Sequence, residues 1–199
     1  SAEYRDGYTY VDLDLPYAGS CFVVFDHRKE HVNQPEQARR AETVVAGPWE
    51  VRFPEGWGVP LDITVDQLVP WCEMPFSEEG RAFSGKASYR TVFTLDGDAV
   101  GKPLTLDLGK VDMIADVRVN GNSLRPLWCA PYSLEIGDYV KEGGNTLEID
   151  VTSTWFNRLV YDASQPEDMR KTWVIAGPAA DKPLRQTGLL GPVRLLSEF

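Results

Sequence analysis

Ala87-Ser88-Tyr89-Arg90-Thr91-Val92-Phe93-Thr94 is the stretch on which the fold class turns. Tyr89, Thr91 and Phe93 fall on one side and Ser88 and Arg90 on the other, the two-residue period of a pleated strand with one face covered. The alternation recurs downstream. Leu104, Leu106 and Leu108 interleave with Thr105 and Asp107, and Leu147, Ile149 and Val151 with Glu148, Asp150 and Thr152. Val117-Arg118-Val119 runs into Asn120-Gly121, a pair whose tolerance of positive φ suits a type I′ hairpin. Lys141-Glu142-Gly143-Gly144-Asn145 marks a second turn, feeding a strand from Thr146 to Thr152. Upstream, Tyr8 to Leu15 and Cys21 to Phe25 read as strands, the second apolar on both faces and so expected at the centre of a sheet. Val193 to Leu196 closes the series.

Helix signals are weak. Thr64 to Val69 predicts one turn capped by Thr64 and ended by Pro70. Arg28 to Thr43 is polar, contains Pro35 and reads as a linker or loop, which makes it the candidate boundary. The 14 Pro and 17 Gly are spread along the chain, as in a protein of many short elements joined by turns. Strands separated by turns without intervening helices predict an all-β antiparallel β-sandwich or jelly roll. Two long segments, Trp155 to Leu189 and Phe53 to Phe83, lack strand periodicity. Loops of that length carry function or pack on a neighbouring domain.

The composition narrows the partners. Of 199 residues, 43% are hydrophobic and 25% charged, the balance of a globular protein, and the formal charge is −10. An acidic surface repels phosphate backbones and anionic lipid, so neither nucleic acid nor a membrane is an expected partner. No apolar run nears the roughly 20 residues that span a bilayer. A start at Ser1-Ala2-Glu3 suggests a mature or excised piece of something longer. Cys21, Cys72 and Cys129 show no metal-ligand spacing. One disulfide, for instance between Cys72 and Cys129, or free thiols both fit. His27 and His31 are the only histidines and lack further ligands at matching spacing, which favours plain surface residues.

Chemistry is sparse. Glycosidic hydrolysis needs two carboxylates facing each other across the bond. The acids here sit on outward strand faces (Asp107, Glu148, Asp150) or in turns (Asp96, Asp98, Glu142), so no acid–base pair is nominated and the expectation is no catalytic residue. Nucleophile-elbow, P-loop and dinucleotide motifs are absent from the sequence. The six Trp are more informative. Sugar C–H faces stack on aromatic rings while hydroxyls bond Asn, Asp and Arg. Trp155, Asn157, Arg158, Asp162 and Trp173 offer that mixture in one loop, and Trp128 with Tyr132 supplies another aromatic pair. These seven are the candidate carbohydrate-binding residues. The competing reading has Trp155 and Trp128 capping the end of the sandwich and an Arg158–Asp162 ion pair holding the loop. Trp49, Trp57 and Trp71 read as core or domain-interface packing, and Glu167-Asp168 followed by Arg170-Lys171 as a solvated turn.

An ordered set of motifs carries a resemblance. Phe83-Ser84-Gly85-Lys86-Ala87-Ser88-Tyr89-Arg90 is followed by Leu106-Asp107-Leu108-Gly109-Lys110-Val111 and Ala115-Asp116-Val117-Arg118-Val119-Asn120-Gly121. Leu127-Trp128, Pro131-Tyr132, Gly144-Asn145-Thr146-Leu147-Glu148-Ile149, Asn157-Arg158-Leu159 with Asp162, and Gly188-Leu189-Leu190-Gly191-Pro192-Val193 complete it. From about Gly47 to the end the chain resembles the C-terminal β-sandwich of glycoside hydrolase family 106 α-L-rhamnosidases. More loosely, it is similar to the sugar-binding jelly roll of family 2 β-glycosidases. Tyr161 stands where these proteins commonly carry Gly, and Lys86 where Thr is common.

The resemblance implies a galactose-binding-domain-like jelly roll over residues 46–199. It further implies that residues 1–45 are terminal strands and linker of a preceding β domain, packed on the sandwich or left beside it. The catalytic barrel of such enzymes has no counterpart here. The implied function is therefore a non-catalytic accessory domain of a larger glycoside hydrolase acting on plant or other complex polysaccharide. It would buttress the catalytic domain of the parent chain and line its sugar cleft, in a secreted or periplasmic protein, with no cofactor beyond the structural Ca²⁺ such jelly rolls often hold. Two alternatives stand beside it: an autonomous carbohydrate-binding module, and a protein-interaction sandwich without sugar affinity.

Overall fold

The computed structural model describes residues 2–13, 15, 19–25 and 40–198. In chain order, the first strands are β1 (Ala2–Arg5), β2 (Tyr8–Val11), β3 (Arg40–Val44), β4 (Trp49–Arg52) and β5 (Asp62–Val65). After a short helix α1 (Glu78–Arg81) come β6 (Lys86–Leu95), β7 (Leu104–Asp107), β8 (Lys110–Val111), β9 (Ile114–Val119) and β10 (Asn122–Ser123). Then follow β11 (Ser133–Glu135), β12 (Gly143–Thr152), helix α2 (Phe156–Ala163), β13 (Leu189–Gly191) and β14 (Arg194–Glu198).

Two antiparallel sheets make the sandwich. One has six strands in the order β10-β9-β12-β6-β4-β5, the other four in the order β11-β7-β14-β3. β8 and β13 form a short pair beside them, and β1 pairs with β2 in a hairpin whose β2 residues are all exposed. The longest ladder joins β6 and β12 from Lys86↔Thr152 to Leu95↔Gly143. In β6 the residues Ala87, Tyr89, Thr91, Phe93 and Leu95 point inward, as the alternation requires. Across the sandwich Ala87, Tyr89, Phe93 and Leu95 join Leu104, Leu106, Leu134 and Leu195 in one buried cluster that also takes in Val117, Leu147 and Ile149. Burying a side chain of that size contributes about 1.5–3 kcal/mol. Asn120 and Gly121 both take positive φ, 51° and 80°, in the hairpin between β9 and β10. The fully buried Asn145 ties that hairpin to the turn before β12. Its Oδ1 accepts from Asn120 Nδ2 and Lys141 N at 2.8 Å each.

One end of the core is aromatic. Phe53, Trp71 and Phe83 pack edge to face with centroids 4.9–6.0 Å apart. Trp71 Nε1 donates to the Tyr89 hydroxyl at 2.6 Å, and the same oxygen accepts from Leu189 N at 3.2 Å. Gly188 seals the contact at φ +104°; a Cβ there would lie 2.7 Å from Trp71 Nε1.

Several expectations are corrected. Thr64 does not cap a helical turn: it lies in β5, paired with Glu50 of β4. Cross-strand bonding beats one helical turn, whose nucleation is unfavourable. Cys21 to Phe25 forms no strand, and Phe22 is 98% exposed. The strand expected from Tyr8 to Leu15 stops at Val11. The sandwich also begins earlier than residue 46, because β3 pairs along β14 from Val44↔Arg194 to Arg40↔Glu198. His27, His31 and most of the expected linker lie outside the described residues. Cys21, Cys72 and Cys129 are unpaired, and the Cys72 thiol is pushed up by burial and the nearby Glu73.

Candidate functional site

The segment without strand periodicity is organised by α2. Phe156 to Ala163 follows β12 directly, and its first turn is stitched to the core by Arg158 N donating to Ser84 Oγ at 3.1 Å. Asn157, Arg158 and Asp162 point inward and are buried. Their bonds go to the protein itself, although Arg158 Nε is buried without a hydrogen-bond partner.

Asn157 grips the far end of the following loop: its Nδ2 donates to Arg185 O and its Oδ1 accepts from Arg185 N, both at 2.8 Å. Asp162 grips the near end. Its Oδ2 accepts from Thr172 Oγ1 at 2.6 Å, Thr172 N at 2.7 Å and Lys171 N at 3.1 Å. Its Oδ1 faces Arg158 Nη2 at 2.7 Å. Burial pushes this carboxyl up, but the bonds from Thr172 and Arg158 outweigh it and hold it below the usual range. Arg158 Nη1 also donates to Glu79 Oε1 at 2.9 Å, and Lys171 Nζ reaches the same oxygen at 2.6 Å and the Gly56 carbonyl. Those two cations hold the Glu79 carboxyl below its ordinary value. The Arg158 guanidinium stands 5.3 Å from the Trp57 ring centre and 5.1 Å from that of Tyr161, within cation–π reach.

The Arg158–Asp162 pair thus holds the loop, the alternative that the sequence left open. What the loop presents to solvent is Trp173, 84% exposed, with Ile175, 90% exposed. An open hollow of about 500 Å³ lies beside Trp173, lined by Leu159, Asp162, Arg170, Val174 and Pro178 among others. Trp128 is also exposed, at 73%, while the hydroxyl of half-buried Tyr132 donates to Met113 O at 2.7 Å. Trp155 is 47% exposed and leans on Trp57 with ring centres 5.3 Å apart. The structure therefore leaves Trp128, Trp155 and Trp173 available to a ligand. It places Asn157, Arg158 and Asp162 behind them as support, because buried polar groups must spend their bonds internally.

Glu79, Lys171, Thr172 and Trp57 were missed as members of this cluster. The segment from Glu167 to Lys171 is exposed, as expected of a solvated turn, and Lys171 additionally ion-pairs with Glu79. No local signal pointed to Glu79, which lies 79 positions from Arg158. Trp49 and Trp71 are core, as their surroundings predicted. Among the described residues no three His, Cys, Asp or Glu side chains cluster as metal ligands, and no helix is long and apolar enough to cross a membrane.

The two antiparallel sheets packed as a sandwich have the architecture of a galactose-binding-like domain. Residues 78–188, more than half of the chain, match the glycosyl hydrolase 2 galactose-binding domain-like family, and the chain belongs to it. It is similar to a putative β-glucuronidase of Formosa agariphila, 33% identical over 76% of this chain and 15% of that protein. Among solved structures it resembles a rhamnosidase from Novosphingobium sp. PP1Y, with 38% identity, a TM-score of 0.75, and coverage of 87% of this chain and 16% of that one. A β-glucuronidase from Ruminococcus gnavus shares the fold at 17% identity and TM-score 0.60, covering 83% of this chain and 30% of that one. The chain thus spans 15–16% of the length of the first two relatives.

Proposed function

We infer that this chain is a non-catalytic accessory domain of a longer glycoside hydrolase of the rhamnosidase or glucuronidase kind, with family 106 the leading assignment. It would lie C-terminal in a secreted or periplasmic enzyme acting on plant or other complex polysaccharide. Its role is to buttress the catalytic domain and line the edge of its sugar cleft. The carrying observation is the loop that Asn157 and Asp162 hold at both ends while Trp173 and Ile175 stand bare in solvent. Apolar groups fixed in an exposed position lose no further loop entropy when a partner covers them. The small share of its relatives that the chain spans supports a catalytic part elsewhere in the polypeptide.

The test has two arms. The 199-residue chain should release no nitrophenol from aryl rhamnosides or glucuronides; turnover would sink the non-catalytic reading. In the longer enzyme, Trp173→Ser with Ile175→Ser should lower catalytic efficiency or heat resistance while the isolated chain keeps its stability. Equal behaviour of the double variant and wild type in the longer enzyme would remove the buttress role.

A further inference from the structure

The outer face of the six-stranded sheet carries a trough that neither α2 nor the loop after it uses. Its floor is the outward row of β6, Lys86, Ser88, Arg90 and Val92, flanked by residues of β4, β5 and β12. Three hollows of about 550, 660 and 290 Å³ adjoin along it. The first two share Arg52 and Ser88; the last two share Glu50, Thr64 and Arg90. From Lys86 to Val92 the trough is about 20 Å long at about 3.3 Å per residue.

One end is aromatic. Trp57 and Trp155 meet there at 54°, with Pro54 and Leu61 completing the wall. Trp57 is pinned from behind, since Arg158 and Lys171 stand 5.3 and 5.7 Å from its ring centre. The rest of the floor is polar and already fixed. Arg118 bonds Glu148 at 3.0 Å and Asp150 at 3.2 Å, Lys86 lies 2.8 Å from Asp150, and Arg52 lies 2.7 Å from Asp62.

The charges nearly balance: Arg52, Lys86, Arg90 and Arg118 meet Glu50, Asp62, Glu148 and Asp150, with Asp116 beside Asp150 on the same face, so the face carries about one net negative charge on a chain of formal charge −10. Such a surface does not attract phosphate or uronate. It does offer fixed donors and acceptors to hydroxyls, and an aromatic platform to the C–H face of a sugar ring.

We propose that this trough binds a linear neutral oligosaccharide, with one pyranose ring stacked on Trp155 and the following rings laid along β6. At about 20 Å it holds about four rings. The site belongs to the isolated chain and does not rest on attachment to a catalytic domain, so it can fail while the accessory reading stands.

The 199-residue chain is titrated calorimetrically with cello-, xylo- and manno-oligosaccharides of two and six rings, and with a galacturonate hexamer. At least one neutral hexasaccharide should saturate the chain and bind about tenfold tighter than its disaccharide. Trp155→Ala should weaken it by more than about tenfold, Trp155→Phe should recover part of that loss, and Arg90→Gln should weaken the hexasaccharide alone. Absence of heat with every neutral hexasaccharide would overturn the site. So would equal affinity for two rings and six, binding retained in Trp155→Ala, or preference for the galacturonate. Should Trp155→Ala misfold, Arg90→Gln decides, since an unchanged hexasaccharide affinity removes the trough.

Discussion

Asp162 Oδ1 faces Arg158 Nη2 at 2.7 Å, one helical turn away, with the two side chains 3% and 1% exposed. The other oxygen of the same carboxylate holds the backbone of Lys171 and Thr172. One group therefore neutralises a buried cation and fixes the base of the loop that carries Trp173. Breaking a buried pair from one side costs about 3–5 kcal/mol because the remaining charge is stranded, but here Glu79 still faces Arg158. Asp162→Ala should lower the unfolding free energy by about 3 kcal/mol in urea titration. Asp168→Ala, in the exposed turn nearby, should stay within about 0.5 kcal/mol. Equal effects would mean that the knot carries no stability.

Asn157→Ala removes the grip on Arg185 without touching the ion pair. The loop should then open locally while the sandwich holds, and trypsin should cut at Arg170, Lys171 or Arg185 about tenfold faster, a change of about 1.4 kcal/mol in opening free energy. Unchanged cleavage would assign the loop's order to Asp162 alone.

Tyr89→Phe strands Trp71 Nε1 and Leu189 N inside the core. The expected loss is about 2 kcal/mol, the usual penalty of buried unsatisfied donors. Burial also pushes the Tyr89 hydroxyl up to about 12 from an ordinary 10.0, against the bonds it accepts from Leu189 and Trp71. The folded state thus holds its proton more tightly than the unfolded chain. Stability falls as pH rises from 10 to 12, and that part of the alkaline loss should be missing in Tyr89→Phe. Identical alkaline melting curves for the two proteins would contradict it.

Asp150 behaves in the opposite sense. Burial raises its carboxyl, but Arg118, Lys86 and Ser88 more than offset this and bring it to about 2, against an ordinary 3.8. A depressed carboxyl stabilises the fold above its unfolded value, and the contribution is lost as pH falls from about 4 to 2. Asp150→Asn should be about 2 kcal/mol less stable than wild type at pH 7, where charge-assisted bonds are intact, and the gap should close toward pH 2. A gap independent of pH would show that shape rather than charge is what Asp150 supplies.

Gly188→Ala tests the aromatic end of the core. The added methyl would meet Trp71 and the Tyr89 hydroxyl at 2.7–2.9 Å, on a backbone of positive φ. A loss of about 2 kcal/mol or more is expected by thermal unfolding, since overpacking and strain add. A neutral substitution would show that the Tyr89–Trp71 contact yields easily.

The inward rows of β6, β7 and β12 were legible because strand alternation is local: each residue's face follows from its neighbours two positions away. Asn120-Gly121 was legible for the same reason, its φ angles being a property of the dipeptide. Thr64 misled because a single Thr before Pro70 fits a cap as well as a strand, and only the opposing Glu50 on β4 decides. Cys21 to Phe25 misled because an apolar run becomes a central strand only where partners exist on both sides. Its hydrophobicity says nothing of whether they do.

Within α2 the limits are sharper. Asn157, Arg158 and Asp162 have the chemistry of a sugar site and of an internal clamp alike, so residue type could not separate the two. Their partners Thr172 and Arg185 lie 10 and 28 positions further on in the same segment, and Glu79 lies on another, 79 positions from Arg158. The sequence by itself determined the antiparallel sandwich, its turns and its inward rows, since these rest on short-range periodicity and backbone preference. Only the tertiary structure decided which polar side chains are walled in and which aromatics stay bare, because burial depends on what distant segments bring to the same place.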